Sequence, residues 1–298
     1  MINAEIPLSA GAEEWRSRGR MFEACGQNVF VVDEGAGGGT PLLLIHGFPT
    51  SSYDFHEVWP ALVAKRRVVA LDLPGFGFSS KPADYSYSLL EQADVVEVVA
   101  RRLGLEKVHI WAHDMGTSVA TELLARRQAG LLHFELDRLI LMNGSVHAEM
   151  SRLTPSQKLL RRPWLGPFFA RIASRRTYLW QLRRILAREV AAEELDDQYS
   201  LLRRDGGYLR LPQIIRYYDE RIRFRRRWIG ALEKLDRPAL YLWGERDPVA
   251  VIAIAERLAR ETPGARLVRL PGVGHFPQLE APTEVVEQLE SFLDTAGR

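Results

Sequence analysis

The stretch Val108-His109-Ile110-Trp111-Ala112-His113-Asp114-Met115-Gly116 sets one carboxylate where it could act as a nucleophile. An apolar run compatible with a buried strand leads into Asp114, and a helical pattern starts directly after it. Small residues, Ala112 and Gly116, stand two before and two after, so strand and helix can approach closely while the middle side chain is thrust outward. This is the context of a nucleophile elbow, G-x-S-x-G, with Ala for the first Gly and Asp for Ser. The exchange decides the chemistry. A serine alkoxide attacks carbonyls, whereas a carboxylate attacking an ester or amide would give an anhydride less stable than what it replaces. Toward an sp3 carbon bearing a leaving group, a carboxylate forms an alkyl ester that activated water can hydrolyse. The plain competing reading is that Asp114 only caps the following helix.

Three further motifs weigh against that reading. Leu42-Leu43-Leu44-Ile45-His46-Gly47-Phe48-Pro49 leaves a buried strand and turns tightly, so the Phe48 N–H can point at a developing oxyanion together with the N–H of Met115. Pro49 would fix that turn, with a cis bond as one way of doing so. Asp247 follows the apolar run Tyr241–Trp243, and His275 lies in Gly272-Val273-Gly274-His275-Phe276-Pro277, past another strand pattern. In that setting Asp247 would orient His275, and His275 would activate water. His46 and His113 lack acidic neighbours at zinc-ligand spacing, so no metal is expected, and no cofactor.

The elements that must position these groups are legible in outline. Arg20–Ala24 and Val29–Val32 flank Gly26-Gln27-Asn28, a hairpin signal. Pro41–Ile45, Val68–Leu71, Val108–Trp111, Leu139–Met142, Ala239–Trp243 and Arg266–Leu270 read as further strands, several of them apolar throughout, as in strands buried on both faces. Helical patterns alternate with them: Ser88 to Leu103 with a capping box from Ser88 and Glu91, then Thr117–Arg127, Val249–Arg260 and, after Pro282, Thr283–Asp294. Such alternation predicts a mostly parallel sheet covered on both faces. It breaks between residues 146 and 230, which carry helical patterns and no strand. That stretch is expected to be a helical cap (146–230) inserted into an α/β core (1–145 and 231–298). Its densest charge run, Arg221, Arg223, Arg225, Arg226 and Arg227, reads as a solvated face paired with acids such as Glu220, with a phosphate- or acid-binding role as the alternative.

Composition agrees with a globular enzyme. The 298 residues are 46% hydrophobic and 26% charged, which excludes a disordered or low-complexity chain. Forty basic against 38 acidic residues, net +2, give no overall argument for nucleic acid. One cysteine, Cys25, forbids an intrachain disulfide and fits a reducing compartment. No secretory leader pattern opens the sequence, and no apolar run approaches the length of a membrane span. The expectation is a cytoplasmic enzyme acting on a small molecule, with no nucleic-acid partner and no membrane span.

With these motifs together, the chain resembles the α/β-hydrolase superfamily over essentially its whole length. His46-Gly47-Phe48-Pro49 and the Asp114 elbow are similar to the epoxide hydrolase and haloalkane dehalogenase branch. His46–Tyr53, Leu71–Pro82, His113-Asp114 and Phe224–Leu232 look like the mesoderm-specific transcript protein and its bacterial relatives. The resemblance implies an eight-stranded, mostly parallel sheet flanked by helices and an alkyl-enzyme ester on Asp114. It also implies that cap tyrosines donate to an epoxide oxygen. Tyr217 or Tyr218 fits one of those positions, and Tyr178 the partner. Dehalogenases of this branch usually place Trp after the nucleophile and often Asn after His-Gly; here Met115 and Phe48 stand there, leaving cap residues such as Trp164, Trp180 or Trp228 to hold a halide. Epoxide hydrolysis to a vicinal diol is therefore the leading expectation, on a small apolar substrate and water. Haloalkane hydrolysis and a non-catalytic binding or signalling role on the same fold are the alternatives, with ester hydrolysis weaker because Asp replaces Ser.

Overall fold

A computed structural model describes residues 7–294. Residues 1–6, which bear on the reading of the N-terminus, and 295–298 lie outside the described residues. Eight strands form one sheet: β1 (Gly19–Ala24), β2 (Gln27–Glu34), β3 (Leu42–Ile45), β4 (Val68–Leu71), β5 (Lys107–His113), β6 (Glu135–Met142), β7 (Ala239–Gly244) and β8 (Arg266–Leu270). Their spatial order is β1-β2-β4-β3-β5-β6-β7-β8. β1 and β2 pair antiparallel, β2 pairs antiparallel with β4, and every later pairing is parallel.

The apolar runs are strands because both of their faces are buried. In β3, Leu43 and Ile45 join one core while Leu42 and Leu44 join the other; in β7, Tyr241 and Trp243 take one face and Leu240 and Leu242 the opposite one. A period of two with both registers apolar is what a central strand under helices on both sides requires. The hairpin turn sits one residue earlier than the sequence suggests: Cys25 and Gly26 are its corner, both at positive φ (51° and 73°), and Gln27 already pairs with Ala24. Positive φ at both central positions is the hairpin geometry that matches strand twist. The capping box at Ser88 also differs. Ser88 does cap the helix Leu89–Arg102 by accepting from the Leu90 N–H, but Glu91 turns outward to Ser86.

Between the end of β6 and the start of β7 the described chain is helical, without a strand. This insertion is anchored to the helix Met115–Gln128 through Glu122. Its buried carboxylate accepts from both the Nε and Nη2 of Arg227, from the Trp228 indole N–H and from Arg126 Nε. Among the described residues no helix is long and apolar enough to cross a membrane.

Candidate active site

Because β3, β5, β6, β7 and β8 run parallel, their C-terminal ends share one edge of the sheet, where ligand sites of such sheets form. His46–Pro49, Asp114, Asn143, Asp247 and His275 all follow those ends. Asp114 sits between β5 and the helix Met115–Gln128 at φ 44°, ψ −109°, a strained left-handed conformation that turns its side chain away from both elements. The flanking glycines are steric necessities. A Cβ on Gly116 would lie 2.5 Å from the Ile45 carbonyl oxygen, and one on Gly47 would lie 2.5 Å from Asp114 Cβ.

The Phe48 N–H donates to Asp114 Oδ2 at 2.9 Å, after a turn whose Phe48–Pro49 bond is cis. Met115, the second expected donor, makes no such bond to the carboxylate. Among the described residues Oδ1 receives no direct hydrogen bond, and Arg221 Nη2 lies 3.9 Å from it. His275 Nδ1 lies 2.6 Å from Asp247 Oδ2. The other Asp247 oxygen accepts from the N–H groups of Val249 (2.7 Å) and Ala250 (3.0 Å). Burial alone would raise the Asp247 pKa, but the charge and hydrogen bond of His275, and the Asn143 and Val249 donors, hold it below the ordinary carboxylate value. Burial disfavours the charged form of His275; Asp247, with smaller help from Asp114 and Glu280, outweighs it and raises the ring to about 9.

His46 and His113 serve the architecture. His46 Nε2 accepts from the Leu73 N–H, so Nδ1 carries the proton and donates to the Gly47 carbonyl. Burial lowers its pKa and keeps it neutral. His113 Nε2 lies 2.8 Å from the His275 carbonyl oxygen, and burial followed by the neighbouring His275 lowers that ring to about 4. Among the described residues no group of three or more His, Cys, Asp or Glu is placed to hold a metal ion.

The three tyrosines separate. Tyr218 is a correction: its hydroxyl donates to the Ala148 carbonyl at 2.8 Å and Arg161 covers its ring, so it is occupied in holding the insertion. Tyr217, one residue earlier, is buried against the Phe48 ring (centroids 5.7 Å), and burial and the Asp114 charge both raise its phenol pKa. Tyr178 lines a small cavity of about 70 Å³ with Phe48, Leu160, Leu182, Val249 and His275. Its hydroxyl is buried and has no hydrogen-bond partner among the described residues. The indoles expected near a leaving group are elsewhere. Trp164 and Trp180 are exposed, and the Trp228 N–H is taken by Glu122.

Sequence reasoning missed three groups. Asn143 Nδ2 donates to Asp247 Oδ2 (2.7 Å) and its Oδ1 accepts from the Gly244 N–H (3.0 Å), so it fixes the acid from the end of β6. Glu280 accepts from the N–H groups of Gly274 and Phe276 and so shapes the His275 loop. Arg221 was placed on a solvated face but is buried. Its Nη2 donates to the Asp114 carbonyl (3.0 Å), its Nε to Ser118 Oγ (2.8 Å), and its guanidinium lies over the Tyr217 ring. Glu220, the acid assigned to that charge run, instead accepts from the Leu89 N–H. Replacing Arg221 by methionine removes charge-assisted bonds from a buried place and is expected to cost about 2–4 kcal/mol of stability. Denaturant unfolding measures it; a loss within a few tenths of a kcal/mol would mean that the guanidinium holds nothing.

Comparisons with known proteins place the fold. The model of the alpha/beta hydrolase fold matches residues 40–282. The chain belongs to the α/β-hydrolase fold family. LipZ of Mycobacterium tuberculosis is 44% identical over 96% of this chain and 99% of its own. The human mesoderm-specific transcript homolog protein is 34% identical over 97% of this chain and 89% of its own. Among solved structures, a haloalkane dehalogenase DbeA loop variant from Bradyrhizobium elkanii superposes with a TM-score of 0.77 at 21% identity, covering 92% of this chain and 95% of that one. A mutant of DbjA superposes at 0.80 with 20% identity, covering 92% and 97%. At such identities these structures speak for the fold of this α/β hydrolase.

Proposed function

We propose that this α/β hydrolase opens epoxides to vicinal diols through an ester on Asp114. With Oδ2 tethered to the Phe48 N–H, Oδ1 attacks a ring carbon and the carbon–oxygen bond of the ring breaks. The epoxide oxygen takes a proton from a phenol, Tyr178 with Tyr217 as its partner, and leaves as a hydroxyl. His275 then removes a proton from water, which adds to the ester carbonyl of Asp114. The oxyanion that forms is held by the Phe48 N–H, with Met115 as second donor once the carbonyl has become tetrahedral. Collapse expels the diol oxygen, which takes the proton back from His275, and the remaining proton of the added water returns to the phenolate, restoring the Asp114 carboxylate and the phenol. The helical insertion serves as the cap that closes the cavity over these groups.

The observation that carries the reading is the buried Tyr178 hydroxyl, unpartnered among the described residues, on a side chain that lines the same cavity as His275. A buried hydroxyl left unbonded costs about 1–3 kcal/mol, a cost that an epoxide oxygen would relieve. Carbon–halogen hydrolysis shares the alkylation step, and solved structures of haloalkane dehalogenases share the fold. It needs donors for a halide, and Met115, Trp164, Trp180 and Trp228 offer none to the cavity. The test is turnover of an apolar epoxide and of its chlorinated analogue, with diol and free halide measured side by side. Diol formation that drops about a hundredfold in Tyr178→Phe is the expected result. Halide release without diol would replace this reading with the dehalogenase one.

A further inference from the structure

We propose that the outer face of the helical insertion docks on an anionic lipid bilayer. Between Ser151 and Arg188 the sequence holds ten lysines and arginines and no aspartate or glutamate. The rest of the chain then carries 30 basic against 38 acidic groups, so the near-neutral total hides a strongly polarised molecule. Three of these cations are paired, Arg161 with Asp219, Arg175 with Asp196 and Arg188 with Glu284. Arg162, Arg171, Arg176, Arg183 and Arg184 are exposed with no carboxylate within ion-pair distance among the described residues.

The same surface is apolar where a water-facing helix should be polar. Trp164 is 90% exposed, and Leu165, Phe168 and Ile172 on the helix Leu165–Ile172 are each more than half exposed. Spacings of three and four put the last three on one stripe. Its opposite side, Phe169, Ala170 and Ala173, faces Tyr178 and Gln181 across a second small cavity, so the stripe points outward. On the helix Arg175–Arg183, Tyr178 and Leu182 turn to the substrate cavity while Trp180 turns out, with Arg184 over its indole at 4.8 Å.

Exposed Trp, Phe, Leu and Ile ringed by unpaired arginines are the composition of a surface that lies in a lipid headgroup layer. The rings and aliphatic chains enter the acyl boundary and the guanidiniums meet phosphates. A second copy of the chain is disfavoured, since two-fold pairing would set this charge against itself. Nucleic acid would meet the charge but leave Leu165, Phe168 and Ile172 in water. The position also suits an apolar substrate. Residues Thr154, Ser156, Gln181, Ile185 and Val249 line both the substrate cavity and an adjoining one, which reaches Arg152, Trp180 and Arg184 at the surface. Docking itself does not depend on the identity of the reaction.

Flotation of the full chain with phosphatidylcholine vesicles, with and without phosphatidylglycerol, tests the proposal. Binding is expected only with phosphatidylglycerol, weakening as salt rises. Arg176→Gln with Arg183→Gln is expected to weaken it about 25-fold, at about fivefold per charge. Trp164→Ser with Phe168→Ser is expected to weaken it at least tenfold. Both double variants alter exposed side chains, so unchanged thermal unfolding will certify their fold. No flotation with phosphatidylglycerol, equal flotation without it, or variants that float like the parent would each overturn the proposal. A dimer dispersed by the Trp164 and Phe168 changes would overturn it in favour of self-association, and equally tight salt-sensitive binding to duplex DNA in favour of nucleic acid.

Discussion

Replacing His275 by glutamine is expected to cut turnover of an epoxide by at least about a thousandfold while leaving the first chemical step intact. In the proposed reaction, attack by Asp114 Oδ1 uses the Phe48 tether and the phenols, and none of these passes through the imidazole. Hydrolysis of the resulting ester needs a base beside it. One equivalent of substrate should therefore react and then stay. Intact mass should rise by the whole mass of the epoxide, since ring opening loses no atom, and peptide mapping should place the gain on Asp114. A haloalkane handled in the same way would add its mass less hydrogen halide. Asp114→Ala should acquire no adduct and show no turnover. An adduct on another residue, or steady diol formation by Asp114→Ala, would remove Asp114 as nucleophile and with it the proposed reaction.

That experiment rests on groups that were visible in the sequence because each follows a strand pattern, Phe48 and Asp114 after apolar runs that had to be central strands and His275 after the mixed run of the edge strand β8. Runs such as Leu42–Ile45 and Ala239–Trp243 are apolar at both registers, and only a sheet covered on both faces buries both. Parallel pairing then brings the residues after those runs to one edge, however far apart they stand in the chain. The insertion was less legible, and for physical reasons. Tyr217 and Tyr218 are neighbours on a helix, where one residue is a rotation of about 100°, and nothing local sets the phase that turns Tyr217 inward and Tyr218 to Ala148. Arg221 lies in a charge run whose other members are exposed, and its burial depends on the Asp114 carbonyl and Ser118, more than a hundred residues earlier. Trp164 and Trp180 were candidates to hold a halide from the insertion. Here they face outward, which a pattern of residue types does not disclose. Asn143 bonds the acid from the end of β6, and the signal for it was its place, since Phe48, Asp114, Asp247 and His275 also follow strand ends.

Asp247→Asn is expected to be about as damaging as loss of His275, roughly 10³–10⁴-fold in turnover, and for a geometric reason. In the parent, Oδ1 is committed to the N–H groups of Val249 and Ala250 while Oδ2 receives both His275 Nδ1 and Asn143 Nδ2. An amide that keeps its oxygen on the two backbone donors must turn its NH2 toward His275 and Asn143. His275 can then face it only as an acceptor at Nδ1, which puts the ring proton on Nε2 and removes the base. The alkyl-enzyme ester should accumulate as it does in His275→Gln. The parent's own pH dependence follows from the same pair. The ring titrates at about 9, so it is protonated in the resting enzyme at neutral pH. Ester formation removes the Asp114 charge, one of the causes of that rise, and so readies His275 to accept a proton from water. Hydrolysis of the ester should accelerate with pH toward the ring's value in the ester, which lies below its resting value, and that limb should vanish in Asp247→Asn. Stability carries the opposite sign. His275 rises from 6.5 to about 9 on folding, so its contribution is full below pH 6.5 and is lost as pH climbs through 9. Asp247 falls below 3.8, so its contribution is full above that value and is lost in stronger acid. The Tm gap between parent and Asp247→Asn should be widest from about pH 4 to 6.5 and narrow toward 9. A gap constant over that range would mean that Asp247 and His275 do not form a charged pair.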